Sequence, residues 1–180
     1  MRDTDERLNM DTQNLPKPIA DLMEGLAAYV ARDLAKALQK LKPLAEQGEA
    51  IAQNILGQIY DDGIGVPEDN QEALKWFRLA VAQGNPIAQY NLGQMYLKGK
   101  GVAQDNQEAL RLFRLSVAQG YSCAQSILGV MHFEGLGVPQ DKQEALKWFR
   151  LAAAQGDISG QANLRDRYEA GQGADYVNRH

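Results

Sequence analysis

The stretch QEALKWFRLAVAQG (71–84) returns as QEALRLFRLSVAQG (107–120) and as QEALKWFRLAAAQG (143–156), each copy 36 residues after the last. Within it, Ala73, Trp76, Phe77 and Ala80 are spaced three, one and three residues apart. At about 100° per residue they gather on one side, opposite Gln71, Lys75 and Arg78. That is the pattern of an amphipathic helix and not of a strand. Each copy is preceded by the same start signal: Asp69 with Glu72, Asp105 with Glu108, Asp141 with Glu144. An aspartate there accepts from the amides of the first turn, and the glutamate is expected to reach back as the other half of a capping box. Gly84, Gly120 and Gly156 supply the left-handed residue that closes a helix.

The register extends outward without a gap. AQNILGQIYDDGIGVPEDN (52–70) lies over AQYNLGQMYLKGKGVAQDN (88–106) and AQSILGVMHFEGLGVPQDK (124–142). Here Ala52, Leu56 and Tyr60 form an i, i+4, i+8 stripe, and Gly57 recurs beside it as Gly93 and Gly129. A glycine inside a helix costs about 1 kcal/mol relative to alanine, so close approach of a partner helix is the expected compensation. Gly63, Gly65, Val66 and Pro67 form the connection between the two helical segments. DLAKALQKLKPLAEQGE (33–49) falls on the second half of the unit, and GQANLRDRYEAGQG (160–173) on the first half.

A single helix pair cannot bury its apolar face alone, and stacking on neighbours makes the core continuous. The repeats therefore predict an all-α chain: a right-handed α/α solenoid of antiparallel helix pairs, 36-residue repeats and about nine helices. The expected division is a mobile N-terminal segment (1–15), a solenoid (16–171) and a mobile tail (172–180). Within the solenoid lie a degenerate repeat (16–51), three full repeats (52–87, 88–123, 124–159) and a terminal capping helix (160–171). In that last helix Arg165 replaces Gly57 and Asp166 with Arg167 replaces Gln58 and Ile59, so its fit for a following helix is lost.

The motif A-x-x-x-L-G-x-x-Y-x-x-G-x-G-V-x-x-D followed by A-x-x-W-F-x-x-A-x-x-x-G resembles the Sel1-like repeat, a relative of the tetratricopeptide repeat. His132 stands for the tyrosine in the third copy and Leu112 for the tryptophan in the second. The resemblance implies function by binding, as an adaptor or scaffold for proteins, and a bacterial setting. One cysteine-rich branch is linked to β-lactam binding. Its paired cysteines are absent here, since Cys123 is alone.

Composition narrows the partner class. A net charge of −4 and a pI near 5.2 offer no general attraction to nucleic acid or anionic membrane. No stretch reaches the roughly 18 apolar residues of a membrane span, so no membrane insertion is expected. The start MRDTDERLNMDTQNLPKP has no apolar run of signal-peptide length. A cytoplasmic location is expected for the sequence as given, and a periplasmic or secreted one if a leader has been removed.

In tetratricopeptide-like stacks the first helix of each pair lines the concave side. Its outward positions are Asn54, Gln58, Asp61 and Asp62 beside Ile51 in the first full copy. They become Tyr90, Gln94, Leu97 and Lys98 beside Ile87, then Ser126, Val130, Phe133 and Glu134 beside Cys123. The terminal helix carries Asp166 and Glu169 in the same rows. These positions differ between copies where the core positions repeat, which is how repeat proteins separate recognition from scaffold. Asp61, Asp62, Glu134, Asp166 and Glu169 against Lys98 make the expected face acidic. With Tyr90, Leu97, Val130 and Phe133 on it, the face is expected to hold a protein or peptide with basic and apolar side chains. The alternative is that neighbouring helices or the chain's ends cover those apolar groups.

Catalytic, metal and cofactor sites are not expected. The spacing of Asp61, Asp62 and Asp69 does not match an EF-hand loop, no G-x-S-x-G elbow occurs, and His132 reads as a packing substitution. The reading is a non-enzymatic adaptor, monomeric or weakly dimeric. An inhibitor or immunity-type protein blocking one secreted effector is the alternative within binding, and a cell-wall or β-lactam hydrolase is the alternative of another class.

Overall fold

In a computed structural model of the chain, residues 15–169 are described, Glu169 by its backbone alone. The expected mobile tail (172–180), the last two residues of the expected capping helix (170–171) and all of the expected mobile N-terminal segment but Leu15 lie outside the described residues. The described residues are helical, joined by turns, and fall into two compact units, one ending at Gln83 and the other starting at Gly84.

The first unit holds α1 (Lys17–Val30), α2 (Leu34–Glu46), α3 (Ala50–Asp62) and α4 (Asn70–Ala82). Consecutive helices pack on each other, with α1 on α2, α2 on α3 and α3 on α4. Leu41, Leu44, Ala52, Leu56, Ile59 and Trp76 belong to one buried cluster, with Tyr29 and Tyr60 packed against it. The glycines explain how closely the pairs meet. A Cβ on Gly57 would stand 2.5 Å from the Phe77 ring, and one on Gly25 would stand 2.5 Å from Leu41. The expected compensation for a helical glycine is therefore present: each lets a large side chain of the second helix lie against the first helix's backbone.

That contact also sets the register of the degenerate repeat. Gly25 meets Leu41 as Gly57 meets Phe77, so α1 aligns with α3 at an offset of 57 − 25 = 32 residues. The connection 31–33 has three residues where 63–69 has seven, and this accounts for the missing four. The short turn is closed by Arg32, the one non-glycine residue with positive φ among those described (φ 63). Its amide donates to Tyr29 O (3.1 Å), and the Asp33 amide donates to Ala28 O (2.9 Å). A left-handed non-glycine residue costs about 1–2 kcal/mol, part of which glycine would return through its looser unfolded chain. Arg32→Gly is therefore expected to raise the unfolding free energy by about 0.5 kcal/mol. Urea denaturation of the two chains checks this.

The second unit holds α5 (Pro86–Lys98), α6 (Asn106–Ala118), α7 (Ser122–Glu134), α8 (Lys142–Ala154) and α9 (Ile158–Leu164), followed by a π-helical turn (Arg165–Glu169). Consecutive helices again pack on each other, and α9 lies on both α8 and α7. Phe113 and Phe149 sit against Gly93 and Gly129, where a Cβ would stand 2.8 and 2.5 Å from the rings.

Asp69, Asp105 and Asp141 cap the second helices as expected, each accepting from two first-turn amides at 2.9–3.0 Å. The reciprocal half of the capping box does not form. The Asp69, Asp105 and Asp141 amides instead donate to the carbonyls of Tyr60, Tyr96 and His132 on the preceding helix, at 2.8–3.0 Å. Glu72, Glu108 and Glu144 turn outward to Lys75, Arg111 and Lys147 at 2.7–3.0 Å. Each aspartate thus stops the loop and starts the helix at once, which the local sequence pattern alone does not reveal.

A second device is a pair of glutamines. Gln53, buried in α3, donates to Ala45 O (3.0 Å) and accepts from Gln83 (2.8 Å). Gln119 donates likewise to buried Gln89 (2.9 Å). Buried amides satisfied in this way hold the two helices of a pair in one register.

Candidate functional site: the outward face of the first helices

The first helix of each pair presents its outward residues very differently in the two units. In the first unit, Asp62 is exposed, Asp61 and Gln58 are half-buried, and Ile51 is exposed. Asn54 is only 2% exposed, with its amide donating to Gln58 at 3.4 Å. In the second unit Ser126 is 1% exposed, and its hydroxyl donates to Asp157 (2.5 Å). Asn54 and Ser126, expected on the binding face, are thus withdrawn from it: the side chain at this position turns into the packing of the helices.

The apolar members of the face in the second unit are also largely covered. The Tyr90 ring lies 5.8 Å from Phe113 and 5.3 Å from Tyr121, and its hydroxyl accepts from Gln94 (3.0 Å). Burial holds the Tyr90 phenol above its ordinary value, and it does the same more strongly for Tyr121, which bonds to Cys123. Leu97 is packed against the core of the unit. Val130 is half-buried, as is Phe133. The Arg167 guanidinium stands 4.3 Å over the Phe133 ring and the Tyr168 ring meets its edge at 6.1 Å. Tyr90, Leu97 and Phe133, expected as contacts of the face, are half-buried, each partly covered by the chain's own packing. The physical reason is that an outward position on one helix becomes a packing position when the next helix lies beside it.

Charge is redistributed as well. Glu134 pairs with Arg167 (2.6 Å) and Asp166 with Arg165 (3.1 Å), while Lys98 stands exposed. The expected acidity therefore does not run across the second unit, and in the first Asp62 is exposed while Asp61 is half-buried. These carboxylates occupy the last turn of α3, where the helix already points its negative end. Asp62 is near enough to Tyr29 for its charge to reinforce the effect of burial, which holds that phenol above its ordinary value.

The degenerate repeat has a different connection length, which hides its outward positions from the 36-residue register. By the 32-residue offset, Ile19, Leu26 and Val30 on α1 correspond to Ile51, Gln58 and Asp62 on α3, and Met23 corresponds to Ile55, which packs on the core. Ile19, Met23 and Val30 are exposed, Val30 to 80%, and Leu26 is half-buried. The legible signal was their spacing of four, three and four residues.

Trp76 is buried, and Trp148, His132 and Cys123 are half-buried. Among the described residues no three His, Cys, Asp or Glu side chains gather to hold a metal ion, and no helix is long and apolar enough to cross a membrane.

Comparison with known proteins adds the following. The Sel1 repeat profile matches residues 50–85, 86–121 and 124–157. One similar solved structure is a protective antigen present in uropathogenic Escherichia coli strains and displaying an SLR fold. It is 35% identical with a TM-score of 0.77, over 92% of this chain and 36% of that one. The chain thus spans about a third of the length of that relative. A Sel1 repeat protein from Oxalobacter formigenes is 35% identical with a TM-score of 0.63, over 73% of this chain and 98% of that one. Cysteine rich protein B of Helicobacter pylori shares the fold at 23% identity and a TM-score of 0.55, over 72% of this chain and 93% of that one. No curated protein matches the chain.

Proposed function

This chain belongs to the Sel1 repeat family, whose helix-pair solenoids are typically protein-interaction scaffolds, and on that premise we propose that it is a non-enzymatic adaptor. It binds a protein or peptide through the outward face of its first helices. One observation supports the reading above the others. The second helices are nearly the same sentence written three times, whereas the first-helix positions that reach solvent change from Asp62 to Lys98 to Glu134, and from Gln58 and Gln94 to Val130. Packing demands sameness at core positions and nothing at exposed ones, so variation there is free to encode a partner. The partner's chemistry follows from Asp61 and Asp62: basic side chains among apolar ones.

The test is affinity capture from the native lysate with the wild-type chain, a first-helix variant (Gln58→Lys with Asp62→Lys) and a second-helix control (Arg114→Glu with Arg150→Glu). Charge reversal at an exposed interface costs several kcal/mol in unfavourable pairs, enough to remove a micromolar partner. The expected result is a protein retained by the wild type and by the control and lost by the first-helix variant, with unchanged helical content in all three. Retention by all three chains counts against the face.

A further inference from the structure

We propose that Phe133 and Glu134, at the end of α7, form an arginine-accepting site that the chain keeps closed with its own Arg167, and that an arginine of a protein partner enters by displacing that side chain. The inference rests on the adaptor reading and gives the outward face of the second unit a ligand chemistry.

The present occupant defines what the site accepts. The Arg167 guanidinium lies 4.3 Å over the Phe133 ring, its Nη1 donates to Glu134 Oε1 (2.6 Å) and its Nε donates to Asn163 (2.8 Å). A ring face beside a carboxylate is what a planar guanidinium recognises, by stacking on the first and donating to the second. Lys142 stands 5.4 Å from the same ring, so positive charge gathers on this aromatic from two elements. Phe133 and Glu134 occupy the positions of Asp61 and Asp62 in the first full copy and of Leu97 and Lys98 in the second. The aromatic and the carboxylate therefore come together in one copy of three, and it is the copy that Arg167 reaches.

Three observations make Arg167 a removable occupant. Its position in the repeat is that of Ile59, Met95 and Met131, all buried core residues, so the packing of a helix pair does not call for an arginine there. The residue lies in the π-helical turn Arg165–Glu169, a form that is rare and frequent at functional sites. That turn is anchored by the next residue: the Tyr168 ring meets Phe149 (6.3 Å) and Phe133 (6.1 Å), and its hydroxyl donates to the carbonyl of Lys142. The Arg167 side chain can thus swing out while the turn keeps its seat. The Arg167 and Glu134 side chains remain 29% and 46% exposed, and an ion pair this open contributes little to stability. An incoming guanidinium replaces a contact of its own kind.

The test uses the full chain, isotope-labelled, with Nα-acetyl-arginine methylamide as the probe and its lysine counterpart as the comparison. The amide resonances of Phe133 and Glu134 report each titration. A site filled by its own side chain binds in proportion to the fraction of time it stands open, so Arg167→Ala is expected to bind the arginine probe at least about fivefold tighter than the wild type. In that variant the arginine probe should bind at least about fivefold tighter than the lysine probe, which can neither stack nor fork. Adding Glu134→Gln or Phe133→Leu to Arg167→Ala should weaken the arginine probe about fivefold or more. Arg167→Gln is the second opened variant, and circular dichroism verifies the helical content of each.

Equal affinity in the wild type and the opened variants, equal binding of the two probes, or binding indifferent to Glu134→Gln overturns the proposal. So does loss of helical content in both Arg167→Ala and Arg167→Gln, since Arg167 would then be a strut of the fold. If the probe fails while lysate capture still depends on Gln58 and Asp62, the arginine site is wrong and the adaptor reading stands. If capture is indifferent too, the adaptor reading falls with it.

Discussion

Phe113→Ala is expected to lower the unfolding free energy of the second unit by about 4 kcal/mol, the range for deleting a fully buried aromatic ring. Phe113 is wholly buried, in one cluster with Ala109, Leu128 and Met131. Its ring lies against the backbone of Gly93 and 5.8 Å from Tyr90. Removing it takes away the side chain that lies against Gly93 and leaves a cavity in the cluster. Phe113→Leu keeps most of the volume and should cost about 1.5 kcal/mol or less. Chemical denaturation of the two variants checks the order and the size. Losses of similar size in both would mean that the ring's bulk is not what the site uses.

Gly137→Ala is expected to cost about 3 kcal/mol, from two sources that a control separates. Gly137 has φ +70, where an alanine is strained by about 1–2 kcal/mol. A Cβ there would also stand 2.6 Å from the carbonyl oxygen of Asn106, backbone that is held in the first turn of α6 and cannot step aside. The same loop accepts from the Gln107 side chain through Gly137 O (2.6 Å), so a shift of the loop would break that bond as well. Gly156 has φ +83 and nothing within 4 Å of its Cβ position, so Gly156→Ala carries the strain alone. Differential melting of the pair should show Gly137→Ala costing at least about 1 kcal/mol more. Equal losses would remove the packing part of the argument.

These two residues also mark how far a sequence can be read. Gly137 is one of the turn glycines that repeat at 36-residue spacing, and repetition made the turn legible. Its contact with Asn106 joins positions 31 residues apart, which no local pattern encodes. The capping aspartates were legible for the same reason, while the destination of their amides was not: Asp105 donates to Tyr96, a choice decided by how the loop folds back. Of the outward face of the first helices, the exposed positions Asp62 and Lys98 and the half-buried Gln58 and Gln94 follow from helical periodicity alone. Asn54, Ser126 and Phe133 did not, because the same periodicity describes a side chain facing solvent and one facing the next helix.

By itself, the sequence determined the helix pairs, their boundaries and their core, because periodicity, capping residues and turn glycines act within a few residues of where they stand. Three in-register copies multiplied that signal and identified the family. Tertiary structure decided which outward positions remain outward. It laid Arg167 and Tyr168 against Phe133, paired Glu134 with Arg167, and left Ile19, Met23 and Val30 of α1 exposed. Exposure and net charge are sums over everything that packs nearby, and a linear sequence does not contain those sums until the helices are placed.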